Sequence, residues 1–432
     1  MRLAMAVTTL SLLLLVQALD VSGSRPRVLA VGGGAAGYFA AIEAAGVLRR
    51  HSSDAEVVVL EAGRETLQKV LISGGGRCNV MHDPSKGAVE IAKGYPRGSR
   101  ELLSPFNSQF GPSETYEWFT DAGVELKTES DGRVFPTSDR SSSIIAALER
   151  RARELGVRVS CGSAVTALRH DGASSLFSVQ YSTVSGGEKR PLDLSCDAVI
   201  MATGSSRQGY ALLRDLGHRI VDPLPSLFSF KINDPRLLAL AGVSSRRCEV
   251  RLVIPPEFSK GPHKALVRSN SLASLRQRGA VLVTHQGLSG PAILRLSAFG
   301  AKVLAAMQYK FEIEVAWLPG VSVSDVLEHL SASKTRNPSA TVSRGFPPLS
   351  LASDEEDVLA EDPADRDSIS RRLWVYLIEK AGVPVDRKWA DLSSKDLQAI
   401  ATELVGGRFP VEGNLFLASR RALTPHRSRA LS

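Results

Sequence analysis

The chain is 432 residues long, 43% hydrophobic and 23% charged. Those values describe a folded protein with room for two or three domains and exclude a disordered or collagen-like chain. The net charge is +8, and half of that excess sits in Arg420, Arg421, Arg427 and Arg429, at the end of a tail that holds no acid after Ala418. The tail has no interleaved aromatics, so it reads as a solvated end, and nucleic acid is not predicted as a partner. Cys78, Cys161, Cys196 and Cys248 are scattered and form no CxxC, and the eight histidines show no ligand spacing. A disulfide framework, a thioredoxin-type pair and a bound metal are therefore not predicted.

The N-terminus opens the chain order. Met1 and Arg2 precede an apolar run from Leu3 to Leu19, and the small residues VSGS follow Asp20. This order predicts a cleaved signal peptide or targeting leader over residues 1–24. The run is short for a span of about twenty apolar residues and contains threonines and a serine, so no stable membrane span is predicted once the leader is removed. Such a leader directs a chain into the secretory pathway or an organelle, a plastid included.

Residues 28–37, VLAVGGGAAG, carry the most information. An apolar strand ends in Gly32-x-Gly34-x-x-Gly37, and a small-residue helix follows from Tyr38 to Val47. A second apolar run, Val57 to Leu60, ends in Glu61. Strand, glycine turn, helix, strand and acid in that order form the dinucleotide-binding fingerprint. Gly32 permits the turn, Gly34 admits a pyrophosphate, and Gly37 lets helix and strand pack closely. The helix N-terminus offers N–H groups to the phosphates, and Glu61 can hold a ribose diol.

Next comes KVLISGGGRCNV, Lys69 to Val80, which reads as an extended loop with free backbone donors. Residues 113–124 read as a helix with Trp118 and Phe119 on its apolar side. Gly132 to Ile144 reads as strand, turn and helix start, with Ser141 or Ser142 as the cap of a helix to Leu155. Val157 to Leu168 is a predicted strand. Phe177 to Tyr181 and Leu192 to Leu194 bracket a Ser-Gly-Gly turn as a hairpin. The strand beginning at Cys196 ends in Ala202-Thr203-Gly204.

From Gly209 the texture is strand-rich, with a helix predicted from Pro291 to Leu304 and a strand from Lys310 to Trp317. Residues 334–367 read as a loop or insertion. Helices are predicted at Ser368 to Ala381 and Ser394 to Leu404. The predicted fold is α/β, a Rossmann-like nucleotide domain interrupted by a β-rich plus helical insert. Its parts are a leader at 1–24, the nucleotide domain at 25–208, the β-rich insert at 209–333, the insertion at 334–367, the helical part of the insert at 368–413 and a divergent basic tail at 414–432.

The motifs VGGGAAG, KVLISGGGRCNV, GRVFPTSDRSSSI, ATGSS-x-QGY, PLPSLFSFKI and VLVTHQGLSGPAILRLSA closely resemble the BaiN-like family of FAD/NAD(P)-dependent oxidoreductases, and the short ATGSS-to-QGY connection is similar to its plant and algal branch. The resemblance spans about residues 28–410. It implies FAD, with Gly32, Gly34, Ala36 and Gly37 along the pyrophosphate and Glu61 on the adenosine ribose. It also implies a second flavin-contacting segment made of Lys69 and of Ser73, Gly74, Gly75, Gly76, Arg77, Cys78 and Asn79. Val165 matches a position whose backbone meets the adenine, and Thr203 and Gly204 match the return turn. NADH or NADPH is the implied donor and a small molecule the implied acceptor; no catalytic acid or base is identified. An FAD-dependent tRNA-modifying enzyme is the alternative.

Some residues keep two readings. Arg77 can face phosphate or flavin, or can be a structural guanidinium. Cys78 can be a redox thiol or a packed side chain, and His285 can face substrate or simply hold its loop. Asp139 and Arg140 can tie the loop to the helix start. The resemblance departs after Phe409-Pro410-Val411-Glu412-Gly413, where the family's closing Thr-Ala-Gly-Gly-Val and Gly-Glu…Gly-Gly motifs are replaced by NLFLASRRALTPHRSRALS. That departure adds a further expectation, a shortened product without flavin or activity.

Overall fold

The computed structural model describes residues 25–51, 55–108, 110–185, 188–269, 275–344 and 369–414. The predicted leader, residues 345–367 of the predicted insertion and the tail from residue 415 lie outside the described residues. The chain divides into two compact units, with the boundary after Pro223.

The first unit is built on a four-stranded parallel sheet, β1 (Arg27–Val31), β2 (Glu56–Leu60), β6 (Arg158–Ser160) and β10 (Ala198–Met201), in the order β10-β1-β2-β6. RVLAV and EVVVL do not alternate polar with apolar because both faces of the sheet are covered. Val28, Ala30, Val57 and Val59 pack on one face against Ala41, Ile42 and Leu48 of the Ala35–His51 helix and Ile144 and Leu148 of the Ser141–Glu154 helix. Leu29, Val31, Val58 and Leu60 pack on the other face with Val165, Leu168 and Val179. Those three come from an antiparallel meander of β7 (Ala164–His170), β8 (Phe177–Ser185) and β9 (Glu188–Cys196). The result is a three-layer unit whose α/β, Rossmann-like core is as predicted, with the meander as its third layer.

A smaller sheet, order β3-β5-β4, joins β3 (Met81–His82), β4 (Leu126–Thr128) and β5 (Arg133–Pro136). Beside it in sequence lie helices Ala88–Lys93, Ser99–Ser108 and Pro112–Asp121, of which only the last is predicted from the sequence.

The second unit is a seven-stranded sheet, order β16-β15-β12-β13-β14-β11-β17. Its strands are β11 (Phe230–Lys231), β12 (Ser244–Val253), β13 (Arg276–Thr284), β14 (Gly287–Ser289), β15 (Phe311–Ala316), β16 (Gly407–Val411) and β17 (Gly413–Asn414). Every pairing in it is antiparallel. Phe230, Val250, Ile313, Val315 and Phe409 share one core with Leu296, Leu330, Trp374 and Ile400 from the helices.

Several local expectations are corrected. Val157 to Leu168 is not one strand: Gly162, at φ +63°, breaks it into β6 and β7. The Pro291 helix stops at Phe299 and a separate helix runs Ala301–Ala306. Ser141 and Ser142 do not cap their helix; Arg140 holds the cap position, and the Ser141 hydroxyl donates to Leu71 O at 2.7 Å. The 368–413 segment is not purely helical, because Gly407–Val411 is an edge strand paired with β15.

Candidate functional site

β1 and β10 run side by side, and each ends in a glycine turn. Gly32 N donates to Leu60 O at 2.8 Å, and Ala202 N donates to Val31 O at 2.9 Å. The first bond ties the Gly32 turn to the end of β2, and the second holds the two turns side by side. A Cβ on Gly32 would lie 2.5 Å from Ala202 O, and its φ is +108°. A Cβ on Gly37 would lie 1.9 Å from Gly32 O. Gly34 differs, because a Cβ there would meet nothing within 4 Å. Two fingerprint glycines therefore serve packing, and the third faces open space.

The helix begins at Ala35, earlier than predicted, because Tyr38 N already donates to Gly34 O at 3.0 Å. The N–H groups of its first turn precede that bond and remain for an anion, and the turn contains no acid. A bare glycine facing open space beside these donors fits a dinucleotide pyrophosphate.

Glu61 follows β2. One carboxylate oxygen accepts from Gly33 N and the other from Gly63 N, each at 2.7 Å. Each oxygen keeps a further lone pair, so the carboxylate can still take a diol. Gly33, a variable position in the fingerprint, is also constrained: a Cβ would lie 2.7 Å from Thr66 Cγ2. Thr66 Oγ1 in turn shares a 3.1 Å hydrogen bond with Tyr38 OH, whose pKa burial raises.

The second predicted segment is not wholly extended. Gln68–Ile72 is a short helix, and Ser73–Gly76 is a tight turn in which Gly74, Gly75 and Gly76 have φ of 56°, 70° and 86°. Left-handed backbone of this kind is open to glycine and costly for most other residues. Cys78 N donates to Ser73 O at 3.0 Å and closes the turn. Cβ atoms on Gly75 or Gly76 would meet nothing, so this face of the turn is open. Asn79 is exposed, and Lys69 is exposed with no ion pair among the described residues. A Cβ on Gly204 would lie 3.2 Å from Lys69 Nζ. That contact brings the second segment to the return turn.

Arg77 binds carboxylates rather than loop carbonyls. Its Nη2 lies 2.5 Å from Glu129 and 2.6 Å from Asp139, and its guanidinium sits 4.0 Å from the Phe135 ring centroid. Glu129 and Asp139 hold the Arg77 pKa above its ordinary value. The Lys127 ammonium, then Arg77, holds Asp139 below the usual carboxylate range. Asp139 thus ties the glycine turn to β4, while Arg140 supplies only backbone to the helix start. Cys78 is buried, and burial raises its thiol pKa, the environment of a packed and unreactive side chain.

Thr203 leans on Gly209, where a Cβ would lie 1.9 Å from Thr203 Oγ1. Sequence reasoning missed Gly209; its signal was its place three residues after Ser206, whose hydroxyl accepts from Gly209 N at 3.3 Å. Val165 is buried in β7 with its backbone opposite Tyr181. His285 belongs to the second unit and is exposed in the turn between β13 and β14. Among the described residues no cluster could hold a metal ion, and no helix is long and apolar enough to cross a membrane.

The family described as HI0933-like protein Rossmann domain matches residues 26–387. The chain is 29% identical over 319 residues to the 3-dehydro-bile acid delta(4,6)-reductase of Clostridium scindens, covering 73% of this chain and 70% of that one. It is 24% identical over 280 residues to the ribosomal RNA dihydrouridine synthase of Escherichia coli, covering 62% and 60%. A solved 3-ketosteroid-delta4-(5alpha)-dehydrogenase from Rhodococcus jostii is 14% identical, with a TM-score of 0.38 over 92% of this chain and 85% of that one.

Proposed function

We propose, for a chain that belongs to the HI0933-like family of FAD-dependent oxidoreductases, that it passes a hydride from NADH or NADPH by way of FAD to a small unsaturated or carbonyl acceptor. The observation that carries this reading is the open glycine cradle. Gly34 faces free space at a helix N-terminus while Gly32 and Gly37 are locked by packing. Gly32, Gly34, Ala36 and Gly37 would hold the pyrophosphate, Glu61 the ribose, and Val165 the adenine side. Lys69 and the segment from Ser73 to Asn79, with Thr203 and Gly204, would hold the rest of the cofactor. FAD, when bound, supplies the hydride-transfer chemistry.

The chain's own residues bind and orient. The backbone donors of the first helical turn meet phosphate charge. The Lys69 ammonium adds positive charge beside the return turn, which favours an anionic group there. Arg77, held by Glu129 and Asp139, anchors the end of the Ser73–Gly76 turn.

The match to ribosomal RNA dihydrouridine synthases supports a second reading, in which the acceptor is a uridine in RNA, transfer RNA included. Anaerobic titration of the purified protein with NADPH and then NADH, followed at the flavin absorbance band, tests the donor half. Bleaching by either supports the reading, and no bleaching by either overturns it. Reoxidation by a cyclic enone but not by an unmodified RNA transcript selects the first reading; the reverse selects the second.

A further inference from the structure

Residues 62–67, AGRETL, form a strap between Glu61 and the Gln68–Ile72 helix. Its start is pinned to the loop after β6, where Gly162 N donates to Gly63 O and Ser163 N to Glu61 O, each at 2.7 Å. Its end is pinned to the first glycine turn, where Leu67 N donates to Gly33 O at 2.8 Å. Leu67 makes that bond at φ +57°, left-handed backbone that is costly for a residue with a side chain. Its side chain is buried and shares the core of the first unit with Tyr38 and Ile42. Strain of this kind persists only where the surroundings over-determine it, and it clusters at functional sites. Thr66 completes the hold. Its hydroxyl meets Tyr38 OH at 3.1 Å, and its Cγ2 lies 2.7 Å from where a Cβ on Gly33 would stand.

Gly33 is thus gripped by both of its polar groups. Its N–H goes to Glu61 at 2.7 Å, and its C=O takes the Leu67 N–H. The described residues contain no cis peptide bond, and in a trans peptide the C=O and the following N–H point in opposite directions. The first bond therefore turns Gly32 O away from Glu61; that oxygen faces Gly37, where a Cβ would sit 1.9 Å from it. The second bond turns Gly34 N–H away from the strap. Gly34 N–H has no partner among the described residues, and a Cβ on Gly34 would meet nothing within 4 Å. A fixed and unused donor therefore stands at the open point of the cradle, and Leu67 sets its direction.

We infer that Thr66 and Leu67 are positioning residues for a diphosphate: acting through Gly33, they aim the Gly34 N–H at the pyrophosphate oxygens of a dinucleotide. This rests on the proposed cofactor site and deepens it by naming residues that act on the ligand through another residue. The test is calorimetry on the flavin-free full-length protein with ADP, which carries the diphosphate, and with adenosine, which does not. Gly33→Ala sets a Cβ against Thr66 Cγ2 and displaces the strap; it weakens ADP binding about tenfold or more and changes adenosine binding by less than about twofold. Adding Thr66→Ser removes the obstructing methyl, keeps the hydroxyl for Tyr38, and restores ADP binding to within about threefold of the parent. Hydrogen–deuterium exchange of the peptide that holds Leu67 quickens in Gly33→Ala and slows again in the double variant. Thermal melts confirm that each variant is folded. ADP and adenosine weakened together would trace the loss to Glu61 and the ribose and overturn the inference. So would unchanged ADP binding in folded Gly33→Ala, no recovery with Thr66→Ser, or unchanged exchange at Leu67. A parent that binds FAD while its variants fail these expectations keeps the cofactor reading and loses this inference. A parent that binds ADP but not FAD, with the variants as expected, does the opposite, and a parent that binds neither overturns both.

Discussion

Gly34 and Gly37 lie three residues apart, and the structure gives alanine at each a different consequence. A methyl group on Gly37 would sit 1.9 Å from Gly32 O, a hard overlap between the helix and the turn that starts it. Overpacking of this kind costs about 1–3 kcal/mol, and each kcal/mol is worth about 2–4 °C in Tm for a domain of this size. A methyl group on Gly34 meets nothing, and Gly34 is not among the residues with positive φ. Replacing such a glycine is neutral or stabilises by about 0.4–1 kcal/mol through the unfolded chain. The same methyl group would occupy the space next to the pyrophosphate donors. Losing one hydrogen bond to a charged group costs about 1.5–3 kcal/mol, which weakens FAD binding by roughly 10- to 150-fold. The assay pairs a thermal melt of the flavin-free protein with a fluorescence titration of FAD. Gly37→Ala is expected to lower Tm. Gly34→Ala is expected to keep Tm and lose affinity. A Gly34→Ala protein that binds FAD as tightly as the parent would refute the assignment of the cradle.

Three further outcomes follow from the packing. Iodoacetamide with peptide mass mapping should label the exposed Cys161 in the native protein and spare Cys78, Cys196 and Cys248 until unfolding, since all three are buried and burial, then Asp197, pushes Cys196 up to about 12; native labelling of Cys196 would contradict the packing. Because the folded pKa of Asp139 is lowered, its contribution is fully present above the ordinary aspartate value of about 3.9 and is lost as pH falls through the lowered value. The difference in urea midpoint between parent and Asp139→Asn should thus be constant at neutral pH and close in acid, and a gap that widens in acid would reverse the sign. Trp374 is fully buried and its Nε1 donates to Val342 O at 2.8 Å, so Trp374→Ala should cost about 3–5 kcal/mol in urea unfolding; a loss below about 1 kcal/mol would remove Trp374 from the core of the second unit.

The sequence was most legible where one residue type is the only solution. Gly32 and Gly37 are such positions, because strand, turn and helix meet there with no space for a Cβ. β1 and β2 were legible as buried strands from unbroken apolar runs. The Ser73–Gly76 turn was less so, since three left-handed glycines following a five-residue helix leave no periodic signal. β16 was hidden by Pro410, which argues against a strand yet sits on the sheet edge, where its missing N–H costs no ladder bond. Gly407, Phe409 and Val411 alternate inward with the exposed Arg408 and Pro410 between them, a strand period that a five-residue segment shows only faintly. The packing of His82 on Gly132 was invisible, because the two are fifty residues apart and only the fold places one upon the other.

The central claim is that this chain holds FAD in the cradle between Gly32 and Gly37. The most direct measurement is the visible spectrum of the purified full-length protein, followed by heat release and mass identification of the cofactor. The account predicts a flavin spectrum and FAD in about one-to-one ratio with protein, with lower FAD occupancy in folded Gly34→Ala. A folded, colourless protein that takes up no added FAD would contradict it.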